Sequence, residues 1–188
     1  LLEVFNDFQI ETIEERPFEE ALRISYKLAI QKNYLWTLMI DADVLISKKG
    51  ILAMLQYAYT GEYIEIQGLV YDKFFKILRP AGNHLYRTSS LDYLLSIIPE
   101  NGIEIRPESY ILQEASKKGL YMKQTKFIIG IHDFFQSPQD IYRKIIQHSV
   151  KHQEQTAKLF KKWSKDSDHN YDLFIACAAI KRAKSITC

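Results

Sequence analysis

The first clear periodicity along the chain is helical. Pro17 stands where a helix begins, Glu19 and Glu20 fall in its first turn, and Lys32-Asn33 close it. Proline suits a first turn because its missing N–H is not needed there, and acidic side chains there complement the helix dipole. Phe18, Ala21, Leu22, Ser25, Leu28 and Ala29 share one apolar or small face at helical spacing. The pattern changes at Tyr34. From there to Ile40 nearly every position is apolar. That length and lack of alternation predict a strand buried on both faces, as in a sheet covered by helices. The run stops abruptly at Asp41-Ala42-Asp43.

Ser47 or a neighbour starts a second helix, with Ile51, Leu52, Leu55 and Ala58 on one side and Gly61 beyond its end. Tyr63 to Tyr71 reads as a strand, and Lys73 to Pro80 stays unassigned. Ala81-Gly82-Asn83 reads as a turn, His84 to Thr88 as a short strand, and Ser90 as the cap of a short helix through Ile98. After a turn at Pro99-Glu100-Asn101-Gly102, a helix from about Glu108 to Lys118 is stopped by Gly119, and Leu120 to Ile131 is mostly extended. Ser137-Pro138-Gln139-Asp140 is a capping-box-like start, with Asp in the acidic position. It predicts one helix to about Trp163, and a last helix covers Tyr171 to Arg182. Alternating strands and helices followed by helices alone predict an α/β sheet domain with a helical tail.

Composition narrows the class. The chain has 188 residues, 47% apolar and 26% charged, which suits one globular domain with a small appendage and argues against disorder or coiled coil. No apolar run reaches the roughly 18 residues of a membrane span. The net charge of +2 gives no whole-molecule preference for nucleic acid. Cys177 and Cys188 are too few for a disulfide framework or a zinc site and read as free thiols in a reducing compartment. The chain opens on Leu1-Leu2-Glu3 without an initiator Met or a signal-peptide pattern, which reads as a chain cut from something longer.

The sharpest local signal is the aspartate pair. In open α/β sheets ligands sit at the carboxyl ends of strands, and Asp41 and Asp43 are placed at such an end. Hard divalent cations take oxygen ligands, commonly one or two carboxylates together with substrate phosphate oxygens. Ala42 between them keeps the turn tight. A solvated turn or helix cap is the alternative reading of the same tripeptide.

The segment from Ala21-Leu22-Arg23 through Trp36-Thr37-Leu38-Met39-Ile40-Asp41-Ala42-Asp43-Val44-Leu45 resembles the helix–strand–DxD unit of GT-A type nucleotide-sugar glycosyltransferases. Arg79-Pro80-Ala81-Gly82-Asn83-His84-Leu85-Tyr86-Arg87-Thr88 resembles the Gly-Asn-x-x-x-Arg stretch that follows in family members. Arg106-Pro107-Glu108-Ser109 to Gly119-Leu120-Tyr121 resembles the acidic-helix-Lys-Lys-Gly-Tyr segment, and Ile129-Gly130-Ile131-His132-Asp133 the strand ending in His. About residues 15 to 135 are covered, in family order.

The resemblance implies a GT-A-like, Rossmann-related mixed sheet flanked by helices over residues 1–136, and a C-terminal helical appendage over 137–188. It implies a hexosyltransferase-type enzyme that moves a sugar from a nucleoside-diphosphate sugar to a saccharide or lipid-linked hydroxyl acceptor, in cell-surface polysaccharide or glycolipid synthesis. Asp43 would be the main ligand of Mn²⁺ or Mg²⁺, Asp41 a ligand or a contact to the donor ribose, and His132 a third ligand or a diphosphate contact. Gly82, Asn83 and His84 would lie beside the donor sugar, or form an ordinary turn. Glu108 would serve as the general base an inverting enzyme needs, or be a plain first-turn acid; Ser109 stands where many inverting members carry the basic Asp. The Pro-Thr/Tyr-Asn turn that holds the nucleobase in family members is not visible before Asp41, although Leu1 to Ile13 could supply one strand. The implied location is cytoplasmic, at the inner face of the membrane if the tail docks there.

That tail carries His148, Lys151, His152, Lys158, Lys161, Lys162 and Lys165, interleaved with Ile145, Ile146, Val150, Leu159, Phe160 and Trp163. A basic amphipathic helix can lie on an anionic membrane; a solvated face over an apolar packing side gives the same pattern. No nucleic-acid recognition motif accompanies it. Two other functions fit the aspartate pair. A haloacid dehalogenase-like phosphatase would use Asp41 as phosphoryl-accepting nucleophile and Asp43 as acid/base; the later acidic pair that holds Mg²⁺ in that family is not evident, and Asp166-Ser167-Asp168 lies in a polar segment near the tail. A glycosyltransferase-like module without catalysis would serve as a binding or assembly unit.

Overall fold

A computed structural model describes residues 8–186. The chain forms two compact units, one up to Phe134 and one from Phe135.

The first unit is α/β, with a mixed sheet flanked by helices. Its elements are α1 (Phe18–Lys32), β1 (Trp36–Ile40), β2 (Val44–Ile46), α2 (Lys48–Ala58), β3 (Glu65–Asp72), β4 (Ile77–Arg79), β5 (Asn83–Arg87), α3 (Leu91–Ser96), α4 (Pro107–Lys117) and β6 (Met122–His132). The six-stranded sheet runs β1-β5-β3-β6-β2, with β4 paired to β3 off this path. Among the described residues only β3 and β6 pair in parallel.

Local chemistry explains the elements. α1 ends at Asn33, whose left-handed backbone (φ 55°) returns its N–H to the Ala29 carbonyl. Asparagine is among the few residues that accept this conformation readily. Ser47 caps α2 through the Gly50 N–H. Gly50 is needed for close approach, since a Cβ there would stand 2.2 Å from the Ile128 carbonyl oxygen of β6. α4 has Pro107 in its first turn, and Gly119 follows it with φ 74°.

Each face of the sheet carries its own core. Val44, Ile51, Met54, Ala58, Ile66, Val70, Leu85 and Ile129 pack beneath α2. Leu22, Tyr26, Ala29, Ile64, Tyr86, Leu91, Leu94, Ile111 and Ala115 pack with α1, α3 and α4 on the other face. Each fully buried Leu or Ile contributes about 1.5–3 kcal/mol.

Three expectations need correction. The apolar run from Tyr34 is shorter as a strand, and it is not fully buried. Trp36 to Ile40 are all half-buried, and Tyr34 and Leu35 are exposed. Trp36, Leu38 and Ile40 do pack on one core and Met39 on the other, but among the described residues β1 is an edge strand that pairs on one side only, with β5. Leu45 lies in a strand the pattern missed, β2, because three residues are too few for a period. The single helix from Ser137 is two.

The second unit has three helices, α5 (Pro138–Lys151), α6 (Gln153–Trp163) and α7 (Tyr171–Ile186). Ser137 and Asp140 form the expected capping box. His152, at φ −139° and ψ 60°, breaks α5 from α6. Ile141, Ile145, Trp163, Ala176, Ala179, Ile180 and Ala183 are buried, while Lys151, Lys158, Lys161, Lys162 and Lys165 are exposed. Much of the apolar side of the basic stretch is thus taken up within this unit. Cys177 is buried and free, and Cys188 lies outside the described residues. Residues 8–13 are irregular, and the rest of the Leu1 to Ile13 strand reading falls outside them.

Candidate functional site

Strands β1, β3 and β6 run in the same direction, because β1 and β3 are each antiparallel to β5. Their carboxyl ends therefore share one sheet edge. Asp41 follows β1, Asp72 ends β3 and His132 ends β6. Backbone hydrogen bonds seat the aspartate loop there. The Val44 N–H closes a turn on the Asp41 carbonyl (3.1 Å), the Asp41 N–H reaches the Gly82 carbonyl (3.0 Å), and the Asp133 N–H reaches the Asp43 carbonyl (3.1 Å).

This brings Asp41, Asp43 and His132 together, with one ligand atom of each within 4.8 Å of the others. His132 Nε2 lies 3.6 Å from Asp43 Oδ1. Two carboxylates and an imidazole could hold a divalent cation, and the nitrogen suits Mn²⁺ better than Mg²⁺. The aspartates face solvent while His132 is buried, so the cluster is open on one side. Asp41 keeps solvent access, yet the protein packed about its carboxyl pushes its pKa up. The charges of Glu108 and Asp43 push the same way, and His132 and His84 oppose them. Such mutual repulsion is what a bound cation relieves.

Gly82 forms the wall beside this cluster. Its φ is +60°, and a Cβ there would stand 2.9 Å from Asp41 Oδ2 and from a Val44 methyl, and 3.2 Å from the His132 ring. Gly82→Ala should destabilise the fold by on the order of 2 kcal/mol, from left-handed strain plus crowding. It should weaken Mn²⁺ binding as well. An unchanged melting temperature measured by circular dichroism would contradict the crowding.

A second carboxylate group lies behind His132. Asp72 and Asp133 are buried, with Asp133 Oδ2 2.9 Å and Asp72 Oδ2 3.9 Å from His132 Nδ1. Arg79 compensates Asp72, its Nη2 at 2.7 Å and its Nε donating at 2.8 Å. Sequence reading missed Asp72, Asp133 and Arg79 as site residues. The signal was present: Asp72 closes its strand after the apolar Leu69-Val70-Tyr71, much as Asp41 comes after Leu38-Met39-Ile40.

His84 and Glu108 meet around a cavity of about 100 Å³, which Asp41, Met39 and Ser25 also line. His84 Nδ1 lies 2.9 Å from Glu65 Oε1 and its Nε2 3.6 Å from Glu108 Oε2. Burial alone would lower the imidazole pKa. The Glu108 carboxylate beside Nε2 and the Glu65 carboxylate bonded to Nδ1 override it and push it up to about 10. Asn83 does not face this cavity. It is fully buried, its Nδ2 donates to the Gly68 and Ala81 carbonyls, and its Oδ1 accepts from the Gly68 N–H. Its side chain locks β5 to the irregular part of β3. Of the predicted residues, Asp41, Asp43, Gly82 and His132 thus form one group, and Asp41, His84 and Glu108 share the adjoining cavity.

A larger hollow of about 330 Å³ lies at the opposite sheet edge, lined by Leu35, Trp36, Tyr59 and Arg87 among others. None of the predicted site residues lines it. Asp166 and Asp168 belong to the turn after α6 in the second unit. Among the described residues no helix is long and apolar enough to cross a membrane.

Comparison with protein-family models, curated proteins and solved structures finds no match to this chain.

Proposed function

We propose that this chain is a metal-dependent glycosyltransferase of the GT-A type, transferring a sugar from a nucleoside-diphosphate sugar to a hydroxyl of a saccharide or lipid-linked acceptor. The observation that carries the reading is the convergence of Asp41, Asp43 and His132 at the carboxyl edge of the sheet. Their open side and the glycine wall at Gly82 leave room for a ligand bearing phosphate oxygens.

Asp41, Asp43 and His132 would hold Mn²⁺ or Mg²⁺. When bound, the ion supplies Lewis-acid neutralisation of charge on a diphosphate leaving group. The chain's own residues do the rest. Glu108 stands in the cavity that reaches Asp41, and its carboxylate takes the proton of the acceptor hydroxyl. His84, charged and anchored by Glu65, steadies the Glu108 carboxylate from its far side. The apolar wall of Phe18, Leu22, Met39 and Ile40 limits water around that proton transfer. The exposed lysines of α6 give the second unit a surface suited to anionic lipid.

Calorimetric titration of UDP and of GDP into the chain, with and without Mn²⁺, tests the reading. Binding of one nucleotide that requires Mn²⁺ is the expected result. No binding in either arm, or binding indifferent to the ion, would overturn it.

A further inference from the structure

His132 faces acceptor oxygens on both sides. Nε2 looks toward Asp43 Oδ1 at 3.6 Å, while Nδ1 lies 2.9 Å from Asp133 Oδ2 and 3.9 Å from Asp72 Oδ2. Nδ1 is buried and its contact with Asp133 is out of line for a regular hydrogen bond. The surroundings still decide which nitrogen carries the proton of the neutral ring. A lone pair at Nδ1 would confront two buried carboxylates, whereas an N–H there is attracted to both. The lone pair is then left on Nε2. At 3.6 Å from a carboxylate oxygen, that arrangement is repulsive by itself and becomes favourable with a cation shared between the two atoms.

The backbone around Asp133 is arranged for this contact. Asp133 has φ 58°, in the left-handed region, which costs an L residue about 1–2 kcal/mol and which Asp tolerates better than most. Its N–H is held by the Asp43 carbonyl, and the His132 carbonyl accepts from the Lys73 N–H (3.2 Å). Strain kept in place by bonds on both sides is the pattern of a functional position. Asp72 is itself engaged, by Arg79 and by the Phe75 N–H on Oδ1 (2.8 Å). In the buried group of Asp72, His132 and Asp133, whose ligand atoms also converge, Arg79 offsets one of the two carboxylate charges, which makes it a poorer cation site than the open Asp41, Asp43 and His132 cluster.

We infer that Asp133, backed by Asp72, is a positioning residue that holds His132 with Nδ1 protonated and so directs the Nε2 lone pair at the aspartate pair. Carboxylate–histidine–metal arrays of this kind fix ring orientation, and losing the outer carboxylate typically lowers metal affinity 10–100-fold. The inference rests on the metal reading of Asp41, Asp43 and His132.

Asp133→Gly tests it, because glycine keeps the left-handed backbone without strain and removes the carboxylate. Asp133→Asn is the rescue variant, since it keeps a partially negative oxygen facing Nδ1. Nitrogen-15 NMR of the metal-free chain, at a pH where the ring is neutral, should show Nε2 as the unprotonated nitrogen in the wild type and in Asp133→Asn, and mixed tautomers in Asp133→Gly. A wild type with Nδ1 unprotonated overturns the inference. Mn²⁺ titration followed by electron paramagnetic resonance should show affinity reduced about 10–100-fold in Asp133→Gly and largely restored in Asp133→Asn. A wild type that binds no Mn²⁺ overturns the metal reading underneath. Wild-type binding that Asp133→Gly leaves untouched overturns the positioning role alone.

Discussion

Asp43→Ala should leave a folded chain that has lost Mn²⁺-dependent binding of UDP or GDP by at least roughly 100-fold, the upper end of what even outer-sphere partners of a metal site cost. Two features separate binding from folding here. The Asp43 side chain is 45% exposed, and surface substitutions away from special features usually stay within about 0.5 kcal/mol. The contact that positions the loop is made by the Asp43 carbonyl to the Asp133 N–H, and alanine keeps it. The substitution also removes a negative charge that raises the Asp41 pKa, so the melting temperature should hold or rise slightly while binding disappears. Sites that crowd like charges for function show this opposition between stability and activity. Calorimetry and a thermal melt on the same sample decide it, and near wild-type nucleotide binding in Asp43→Ala would end the metal role of the pair.

Stability should also fall steadily with rising pH across the range set by His84. Its pKa is raised from 6.5 to about 10 in the folded chain, where Glu108 and Glu65 outweigh the effect of burial. The folded state therefore binds a proton that the unfolded chain releases above about 6.5. The stabilisation is complete below that point, declines at about 1.4 kcal/mol per pH unit above it, and is gone as pH passes the folded value. Over the whole window the loss is on the order of a few kcal/mol, a large part of an ordinary domain's stability. Urea unfolding at pH 6, 7.5 and 9 measures it. Glu65→Gln should flatten the decline, because the neutral amide removes one of the two charges that hold the proton. A wild-type midpoint that does not fall between pH 6 and 9 would show that the His84 ring is neutral in the fold.

Most of the local elements were legible along the chain because their causes are local. Pro17, Glu19, Glu20 and Asn33 mark both ends of α1, and the Ser137–Asp140 box marks the start of α5. The break at His152 was not legible. Nothing in the residues there forbids a helix, and α5 and α6 both pack on α7, a tertiary arrangement that no local pattern encodes. The burial of β1 was misjudged for a related reason. Its composition suits both cores, but which strands occupy the edge is a property of sheet order.

The site divides in the same way. The sequence by itself determined that two carboxylates follow an apolar strand, that glycine precedes Asn83-His84, and that a histidine closes a second extended segment; residue type and spacing suffice for that. Only the tertiary structure decided that Asp41, Asp43, Gly82 and His132 meet, that Asn83 turns inward to the Gly68 backbone, and that Asp72, Asp133 and Arg79 stand behind the imidazole. Strand direction and order in the sheet set which chain ends share an edge. They follow from long-range pairing of β1, β3, β5 and β6, which no short-range pattern encodes.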